Sequence, residues 1–257
     1  MRVLVIGGTG LISTAITRQL VERGDHVTHY NRGRSEARTP PVAQTIIGDR
    51  KDLATFEAQM AAERTFDVVI DMICYTPAEA ESDVRAFANR CGHFIFCSTV
   101  DVYNKPATRY PYTENEPLSG ISQYARNKVA CEKVFMAAHE RADLRVTIVR
   151  PAYTYGEGQP LLSYSGRDAM LIDRLRKGKP IIVHGDGQSL WVCCHIDDVA
   201  RAFIGALGNT RTWGKAYHAA GEEWMTWNQY YQSIAAVIGA PQPDLVHIPS
   251  ELLARMA

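Results

Sequence analysis

Residues 1–20 read MRVLVIGGTGLISTAITRQL, and this stretch decides the fold. The apolar run at residues 3–6 predicts a strand that is buried on both faces, and residues 11–21 have the apolar spacing of a helix. The sequence GGTGLIS at residues 7–13 joins the two and predicts a tight, glycine-rich turn. A strand, a glycine turn and a helix in this order are typical of the first part of a dinucleotide-binding unit in a parallel sheet.

The glycine turn has three positions with separate tasks. Gly7 permits the turn out of the strand, and Gly10 lets the backbone approach a pyrophosphate at the helix N-terminus, where free N–H groups and the helix dipole favour anions. Ser13 occupies the third position of a GxxGxxG pattern, where a small residue allows close helix-to-strand packing. An ordinary strand-to-helix turn is the alternative because such motifs are common, and the placement directly after the first strand favours a dinucleotide site.

Further along the chain, apolar β-branched runs alternate with helical patterns. The predicted strands are residues 26–30, 45–47, 67–71, 93–97 and 145–149, and the predicted helices between them are residues 52–63, 78–90 and 123–139. This alternation predicts an α/β protein with a Rossmann-like, doubly wound parallel sheet.

After Pro151 the pattern changes to a stretch rich in Gly, Pro and Tyr, followed by a predicted helix at residues 167–177. We expect a dinucleotide-binding Rossmann domain at residues 1–152, to which residues 191–220 return. A smaller substrate-binding lobe is expected at residues 153–190 and 221–257.

The composition favours a small-molecule ligand over a nucleic acid. Lys and Arg total 28 and Asp and Glu total 28, so the formal net charge is zero and no global field attracts an anionic polymer. The six cysteines include no CxxC pair and no charged-then-apolar leader precedes the first strand, which indicates reduced thiols in a cytoplasmic protein. No apolar run reaches the roughly 20 residues that a membrane-spanning helix needs. No metal site is indicated.

The second predicted strand ends in HYNRGRS, and this segment bears on the choice between NAD and NADP. A carboxylate there would bind the ribose hydroxyl of NAD, whereas arginine accommodates the 2′-phosphate of NADP. Asn31 has no charge that repels a phosphate, and Arg32 and Arg34 can pair with one, so we expect NADP, with NAD as the second choice. The alternative is two solvated loop arginines. The GDR segment at residues 48–50 adds Asp49, which either accepts from the adenine amino group or belongs to an ordinary turn.

The pattern with catalytic potential is YARNK at residues 124–128. Tyr124 and Lys128 lie four residues apart at the start of a predicted helix, so both side chains share one face. Lowering a phenol pKa from near 10 to about 7 needs roughly 4 kcal/mol in favour of the phenolate, and a neighbouring ammonium and a cationic nicotinamide are credible sources. A YxxxK pattern is common by chance. This one follows a strand that ends in CSTVDVY, and Thr99 in that segment lies where ligands bind in open parallel sheets.

The joint order of these motifs resembles the extended short-chain dehydrogenases, the NAD(P)-dependent epimerase/dehydratase family. The motifs are GGTGLIS, GDR, CSTVDVY, YARNK, VRPAYTYG and GDGQSLWVCCHIDDVA. The resemblance implies that Tyr124 is the acid/base, that Lys128 lowers its pKa and holds the nicotinamide ribose, and that Thr99 hydrogen-bonds the reacting oxygen while hydride moves between substrate and nicotinamide. The cofactor-binding residues that it implies are Gly7, Thr9, Gly10, Leu11, Ile12, Asn31, Arg32, Arg34, Asp49, Arg50, Tyr124, Lys128 and Pro151.

Two departures from the family pattern concern the substrate. Dehydratases of nucleotide sugars carry an acidic pair after the threonine, where this chain has Val100 and Asp101; Asp101 is a candidate base toward a carbon-bound proton, or a helix-capping or solvated aspartate. Nucleotide-sugar enzymes usually place an arginine for the diphosphate in the GDG segment, where this chain has Leu190, Trp191 and Val192. Trp191 cannot pair with a diphosphate, but it could stack on a sugar or fill the lobe junction. The pattern favours a free sugar, a glycoside or another polyol derivative.

Three functions follow from this reading. The first is an NAD(P)-dependent oxidoreductase or epimerase that transfers hydride to or from a hydroxyl-bearing carbon of a sugar or polyol-like substrate, with a homodimer formed through the helices at residues 78–90 and 123–139. The second is an RNA-binding protein, because GGTG followed by a strand ending in NRG also resembles chloroplast stem-loop RNA-binding members of this superfamily; the zero net charge speaks against it. The third is a non-catalytic, NADP-sensing regulator, which the presence of Thr99, Tyr124 and Lys128 disfavours.

Overall fold

A computed structural model describes residues 1–34 and 38–256 of the chain. The strands in these ranges are β1 (Arg2–Ile6), β2 (His26–Asn31), β3 (Gln44–Ile47), β4 (Phe66–Asp71), β5 (Cys91–Cys97), β6 (Val146–Pro151), β7 (Tyr153–Tyr155), β8 (Leu162–Ser163), β9 (Gly166–Arg167), β10 (Ile181–His184), β11 (Leu190–His195), β12 (Lys215–Ala219), β13 (Trp224–Thr226) and β14 (Leu245–Ile248). The helices are α1 (Leu11–Glu22), α2 (Leu53–Ala62), α3 (Pro77–Phe87), α4 (Gln123–Glu140), α5 (Leu171–Arg176), α6 (Ile196–Ala206), α7 (Trp227–Val237) and α8 (Ser250–Met256).

Seven strands form one parallel sheet in the order β12-β6-β5-β4-β1-β2-β3. Ile6 at the end of β1 lies opposite Tyr30 of β2 on one side and Asp71 of β4 on the other. The chain builds β2 and β3 to one side of β1 and then crosses over to β4, so the carboxyl ends of β1 and β4 flank the crevice in which such sheets bind ligands. The predicted Rossmann-like, doubly wound sheet is confirmed.

Helices cover both faces of this sheet, which explains why its central strands read as continuous apolar runs. On one face, apolar side chains of α2, α3 and α4, including Phe56, Phe87 and Phe135, pack with every second residue of the strands. On the other face, α1 and α6 pack together through residues that include Ile16 and Phe203. Burial of each such side chain contributes about 1.5–3 kcal/mol relative to exposure.

Two predicted helices differ from the observed ones by three or four residues at one end. The helix predicted at residues 78–90 ends at Phe87, because Asn89 adopts a left-handed backbone conformation with φ 56° and its N–H donates to the carbonyl of Asp143. The helix predicted at residues 167–177 begins only at Leu171, since Gly166 and Arg167 pair with Ser163 and Leu162 as a two-stranded ribbon.

The chain divides into two compact units, residues 1–154 with 194–220 and residues 155–193 with 221–257. The second unit has its own core, in which Trp191 stacks on Trp227 with ring centroids 4.4 Å apart and Tyr230 packs edge-on against Trp191. In this unit β10 and β14 form a parallel pair. Across residues 1–34 and 38–256, none of the helices combines the length and apolar character that crossing a membrane requires.

Candidate active site

The turn after β1 has the geometry that a phosphate-binding loop requires. Gly7 has φ +83°, and a Cβ at this position would lie 2.5 Å from Cγ2 of Ile73, so a side chain is excluded by both conformation and space. Gly10 is the N-cap residue of α1 in an extended conformation. Because glycine has no side chain that could accept from the N–H groups of the first helical turn, these groups are available to an anion.

Ser13 does more than fill the third position of the glycine pattern. Its Oγ donates to the carbonyl oxygen of Gly7 over 2.7 Å and accepts from the N–H of Gly10 over 3.1 Å. The side chain is buried. The sequence suggested only a packing role, whereas the structure shows a hydroxyl that ties the two ends of the turn together, which glycine in this position could not do.

The first unit contains a cleft of ≈ 480 Å³ beside this turn. Most of the predicted cofactor-binding residues line it, namely Gly7, Thr9, Gly10, Asn31, Arg32, Arg34, Asp49 and Arg50. Leu11 and Ile12 instead pack, half-buried, against the core beneath α1, and Pro151 is buried at the end of β6. The residues present therefore fit a dinucleotide with its pyrophosphate at the N-terminus of α1 and its adenosine along the loop after β2.

The loop after β2 presents two cationic side chains to this cleft. Asn31 Oδ1 accepts from the N–H of Gly33 over 2.8 Å, which fixes a tight turn. Arg32 and Arg34 flank that turn and are both exposed. The amide of Asn31 is thus used to shape the loop, and Arg32 and Arg34 contribute two positive charges to the lining of the cleft.

Asp49 and Arg50 occupy different surroundings although they are adjacent. Asp49 is at the surface, where its Oδ1 accepts from the N–H of Lys51. Arg50 is buried, with Nη2 2.7 Å from Asp83 Oδ1 and Nε 3.6 Å from Asp71 Oδ2. Its guanidinium lies over the ring of Phe56 at 4.0 Å. The charge of Arg50 is therefore compensated inside the protein, and its contribution to the cleft is that of a wall residue.

Within the described residues, one group of three side chains brings potential metal-ligand atoms within 4.8 Å of one another: Asp71, Cys74 and Asp83. All three are buried beside Arg50. The guanidinium supplies the positive charge that this group needs, and burial followed by the proximity of Asp71 raises the pKa of Asp83 well above its usual range.

The YARNK segment begins α4, and both of its key side chains face the end of β5. Ser122 caps the helix by accepting from the N–H of Ala125. Lys128 is only 1% exposed, and its Nζ donates to the carbonyl oxygens of Cys97 at 2.7 Å and Cys74 at 2.9 Å. Two carbonyls at the carboxyl ends of β5 and β4 thus fix the ammonium at the edge of the sheet where ligands bind.

Tyr124 lies at the mouth of this arrangement, 43% exposed, and its phenol lies beside the side chain of Thr99, which acts to lower the phenol pKa. Thr99 Oγ1 also accepts from the N–H of Asp101 over 3.2 Å, so its orientation is fixed at the end of β5. The structure thus brings Thr99, Tyr124 and Lys128 together as the sequence implied, with Lys128 Nζ 5.9 Å from the centre of the Tyr124 ring.

The pKa of Tyr124 differs from the expectation of a lowered value. Partial burial raises this pKa above its ordinary value, and Cys97 and Tyr75 raise it further, while the neighbouring Thr99 side chain opposes the rise. The ammonium of Lys128 is engaged by two carbonyls rather than by the phenol oxygen. The raised pKa favours the protonated phenol, whose O–H can donate a hydrogen bond.

Asp101 lies at the surface, and Trp191 lies in the core of the second unit. Asp101 is exposed in a short 3₁₀ helix, and its Oδ1 accepts from Nζ of Lys105 over 3.2 Å. Trp191 stacks on Trp227 within the core of the second unit. An exposed, ion-paired Asp101 and a packed Trp191 are consistent with structural roles.

A buried charged pair behind the site was not anticipated from the sequence. Arg150 of β6 donates to both carboxylate oxygens of Glu132 on α4, at 2.9 and 2.6 Å, and also to the hydroxyl of Tyr103 at 2.7 Å. Ser98 Oγ donates to Glu132 Oε1 over 2.5 Å. Glu132 follows Lys128 by four residues, and this helical spacing was a usable signal that both side chains point to the sheet.

Comparisons with known proteins identify the family of the chain. A family model described as the NAD dependent epimerase/dehydratase family matches residues 3–220. The chain belongs to this family. Members of the family with related sequences and folds are named reductases, epimerases and dehydratases, and the chain is an enzyme of this NAD-dependent class.

Among curated relatives of this family member, 2'-dehydrokanamycin reductase of Streptomyces kanamyceticus is 29% identical over 98% of the chain and 70% of the relative. Chloroplast stem-loop binding protein of 41 kDa b of Arabidopsis thaliana is 28% identical over 96% of the chain and 65% of its own length. The chain thus spans about two thirds of these two relatives. Among solved structures, UDP-glucose 4-epimerase of Thermotoga maritima with UDP-glucose superposes with a TM-score of 0.80 at 22% identity, covering 97% of this chain and 86% of that one, which shows the shared fold.

Proposed function

We propose that the protein is an NADP-dependent oxidoreductase that interconverts a ketone and a secondary alcohol on a sugar or polyol-like substrate. The observation that carries this proposal is the placement of Tyr124 beside Thr99, with Lys128 Nζ 5.9 Å from the Tyr124 ring and fixed by two carbonyl oxygens at the carboxyl edge of the sheet. A phenol held next to a hydroxyl at this edge is suited to protonate a carbonyl oxygen as that oxygen becomes an alcohol.

In the reductive direction the two side chains divide the work at the substrate oxygen. Thr99 and Tyr124 both donate hydrogen bonds to the carbonyl oxygen, which polarises the carbon. The nicotinamide, when bound, supplies the hydride that adds to this carbon. Tyr124 gives its phenolic proton to the oxygen, so the carbonyl becomes an alcohol, and the resulting phenolate takes a proton from solvent. Lys128 stabilises that phenolate through its fixed positive charge.

The preference for NADP rests on the loop after β2. Arg32 and Arg34 are exposed at the end of the cleft that would hold the adenosine ribose, and the side chain of Asn31 is engaged in the turn. A 2′-phosphate would find two charge-assisted partners there, each contributing about 1.5–3 kcal/mol. Arg32→Ala is expected to weaken NADP binding about tenfold or more and to leave NAD binding nearly unchanged, as measured by calorimetry with both cofactors.

The substrate is proposed to lack a nucleotide diphosphate. The segment before α6 carries Leu190, Trp191 and Val192 instead of a cationic side chain, and Trp191 is packed against Trp227. The relative named 2'-dehydrokanamycin reductase supports reduction as the direction of the reaction. The relatives named UDP-glucose 4-epimerase are the reason that epimerisation is included in the test.

The experiment measures NADPH oxidation by absorbance with a panel of keto sugars and keto glycosides, beside an epimerisation assay with UDP-glucose. Tyr124→Phe is expected to lower kcat at least about 1,000-fold while leaving NADPH affinity within about twofold, because only the reacting hydroxyl is removed. Lys128→Ala is expected to lower both. If the protein converts UDP-glucose to its epimer without net NADPH oxidation, the oxidoreductase proposal is wrong and the protein is an epimerase.

The relative named a stem-loop binding protein favours RNA binding as a second candidate, and the zero net charge disfavours it. A filter-binding titration with a stem-loop RNA at two salt concentrations separates the two. RNA affinity that falls linearly with log salt, together with no ketone reduction, would favour this candidate.

Assembly as a homodimer through α3 and α4 is part of the proposal. Val84 of α3 and Val134 and Met136 of α4 are half-buried and pack against the core of the first unit, with part of each side chain still accessible. Light scattering at micromolar concentration is expected to give twice the monomer mass, and a monomer would contradict this assembly.

A further inference from the structure

Tyr75 belongs to no motif recognised in the sequence, yet it lies between the cofactor cleft and the catalytic side chains. It follows β4, and its backbone N–H donates to Glu79 Oε2 over 2.6 Å. The same carboxylate accepts from the N–H of Thr76, which is the N-cap of α3. Helix α3 therefore fixes the backbone of Tyr75 through a capping box, and the direction of its side chain is set by regular structure rather than by a loose loop.

The ring of Tyr75 takes part in two groups of contacts. It lines the cleft that also contains Gly7, Gly10 and Arg32. It also lies 4.8 Å from Nζ of Lys128, and its ring centre is 6.3 Å from that of Tyr124. The ammonium of Lys128 is thus held between the rings of Tyr75 and Phe96, the latter at 4.7 Å, in addition to its two carbonyl partners.

We infer that Tyr75 is a positioning residue that couples the occupied cofactor cleft to the Tyr124–Lys128 pair. Its ring excludes water from one side of the Lys128 ammonium, where the ring face itself supplies part of the compensation for the charge. It also packs against Tyr124, which limits the rotation of a phenol that is otherwise 43% exposed. Because Tyr75 also lines the cofactor cleft, a dinucleotide bound there would be next to this side chain, and occupancy of the cleft would restrict Tyr124 through it.

This role requires the aromatic ring and not the hydroxyl. The side chain is 45% exposed, and the contacts that carry the inference are ring contacts to Lys128 and Tyr124. Loss of the ring would expose more of the Tyr124 side chain to water. Because burial is the largest cause that holds the pKa of Tyr124 above its ordinary value, that pKa should then move down.

The inference rests on the proposed oxidoreductase function, and its test includes a readout that does not. Tyr75→Phe keeps the ring and Tyr75→Ala removes it. Tyr110→Ala is the matched control, because Tyr110 is 73% exposed and makes ring contact with Tyr112 instead of with the catalytic pair. Tyr75→Leu is added as a variant of similar bulk without an aromatic face, in case Tyr75→Ala does not fold.

For each variant, kcat, KM and the pH profile of kcat are measured with the ketone that the wild-type enzyme reduces. Tyr75→Ala and Tyr75→Leu are expected to lower kcat about 10- to 100-fold and to move its basic limb to lower pH, because Tyr124 loses both its orientation and part of its burial. Tyr75→Phe, which keeps the ring, is expected to retain most of the wild-type kcat and the wild-type pH profile. Tyr110→Ala should match the wild type.

Two measurements do not depend on turnover. NADPH fluorescence gives the affinity of the cleft, which should fall about fivefold in Tyr75→Ala. Ultraviolet titration of tyrosinate formation, taken as the difference between each protein and its Tyr124→Phe counterpart, gives the pKa of Tyr124, which should be lower in Tyr75→Ala than in the wild type. An unchanged pKa and an unchanged pH profile in Tyr75→Ala would overturn the positioning role, as would equal losses in Tyr75→Phe and Tyr75→Ala. If the wild type reduces no ketone, the proposed function fails, while the tyrosinate titration still decides the role of Tyr75.

Discussion

Two arginines are buried in the first unit, and they differ in how many carboxylates face them. Arg150 meets one, Glu132, in a bidentate pair with distances of 2.9 and 2.6 Å. Arg50 meets two, with Asp83 at 2.7 Å and Asp71 at 3.6 Å. The Arg150 pair is neutral with both groups ionised, whereas the Arg50 cluster is neutral only if one of its two carboxyls keeps a proton.

The two clusters differ in whether the buried charges balance, and this determines whether a carboxyl in the cluster has a raised pKa. Ser98 donates a hydrogen bond to Glu132, and Arg150 donates one to Tyr103, so both members of the Arg150 pair belong to a hydrogen-bond network next to Thr99. In the Arg50 cluster the pKa of Asp83 is raised by burial and then by the charge of the neighbouring Asp71. The first pair is a rigid support, and the second is a titratable group beneath the cofactor cleft.

Removing the carboxylate of the matched pair should have the largest effect. Glu132→Ala leaves the guanidinium of Arg150 buried without its counter-ion, and breaking a buried pair in this way costs about 3–5 kcal/mol of the free energy of unfolding. Urea denaturation at pH 7 measures this. Glu132→Gln is the control, since it keeps the volume and one acceptor and should cost less. A loss below about 1 kcal/mol in Glu132→Ala would show that water or another side chain compensates Arg150.

Removing the arginine of the unmatched cluster should cost less, because the two remaining carboxyls can take up protons. Arg50→Ala is expected to lower the free energy of unfolding by about 2 kcal/mol at pH 7. Without the guanidinium the already raised pKa of Asp83 rises further, so the loss relative to the wild type grows as the pH rises and shrinks as the pH falls toward 5, where Asp83 keeps its proton in both folded proteins. Arg85→Ala is the matched control, since Arg85 is exposed and pairs with Glu57 at 2.8 Å, a contact worth at most about 1 kcal/mol. A loss that stays constant between pH 5 and pH 7 would mean that the carboxyls do not titrate.

These two arginines also mark the limit of what could be predicted from the sequence. The parallel sheet, the glycine turn and the Tyr124–Lys128 pair follow from local signals: apolar runs of strand length, glycines directly after a strand, and a four-residue helical spacing. Each of these signals depends on residues that are close together in the chain. For this reason the structure agrees with them to within a few residues.

Arg50 was assigned to the cofactor because the family resemblance, which includes the GDR motif, implied it, and nothing local indicates that its side chain turns inward. Its partners are Asp71 of β4 and Asp83 of α3, which follow Arg50 by 21 and 33 residues in the chain. The hydroxyl of Ser13 and the ring of Tyr75 were missed for a related reason, since their roles depend on a backbone carbonyl and an ammonium that the fold brings to them. Side-chain partners across elements are set by tertiary packing rather than by periodicity.

The smallest expected effect comes from Asp83→Asn, and it has the opposite sign to the other two. Asp83 is buried with its pKa raised well above the unfolded value, so below the unfolded range both states are protonated and the group costs nothing. As the pH rises, the unfolded chain ionises while the folded chain keeps the proton, and stability is lost until the pH reaches the folded pKa. Asparagine resembles the protonated carboxyl and cannot ionise. The free energy of unfolding of the variant should therefore rise relative to that of the wild type by about 1 kcal/mol between pH 5 and pH 8, as measured by urea denaturation at both pH values.

The control is Asp67→Asn, at an exposed position of β4. It should show the same change in the free energy of unfolding between pH 5 and pH 8 as the wild type. If Asp83→Asn instead falls further behind the wild type as the pH rises, Asp83 is ionised in the folded protein, and the Arg50 cluster is a charged site with an uncompensated carboxylate.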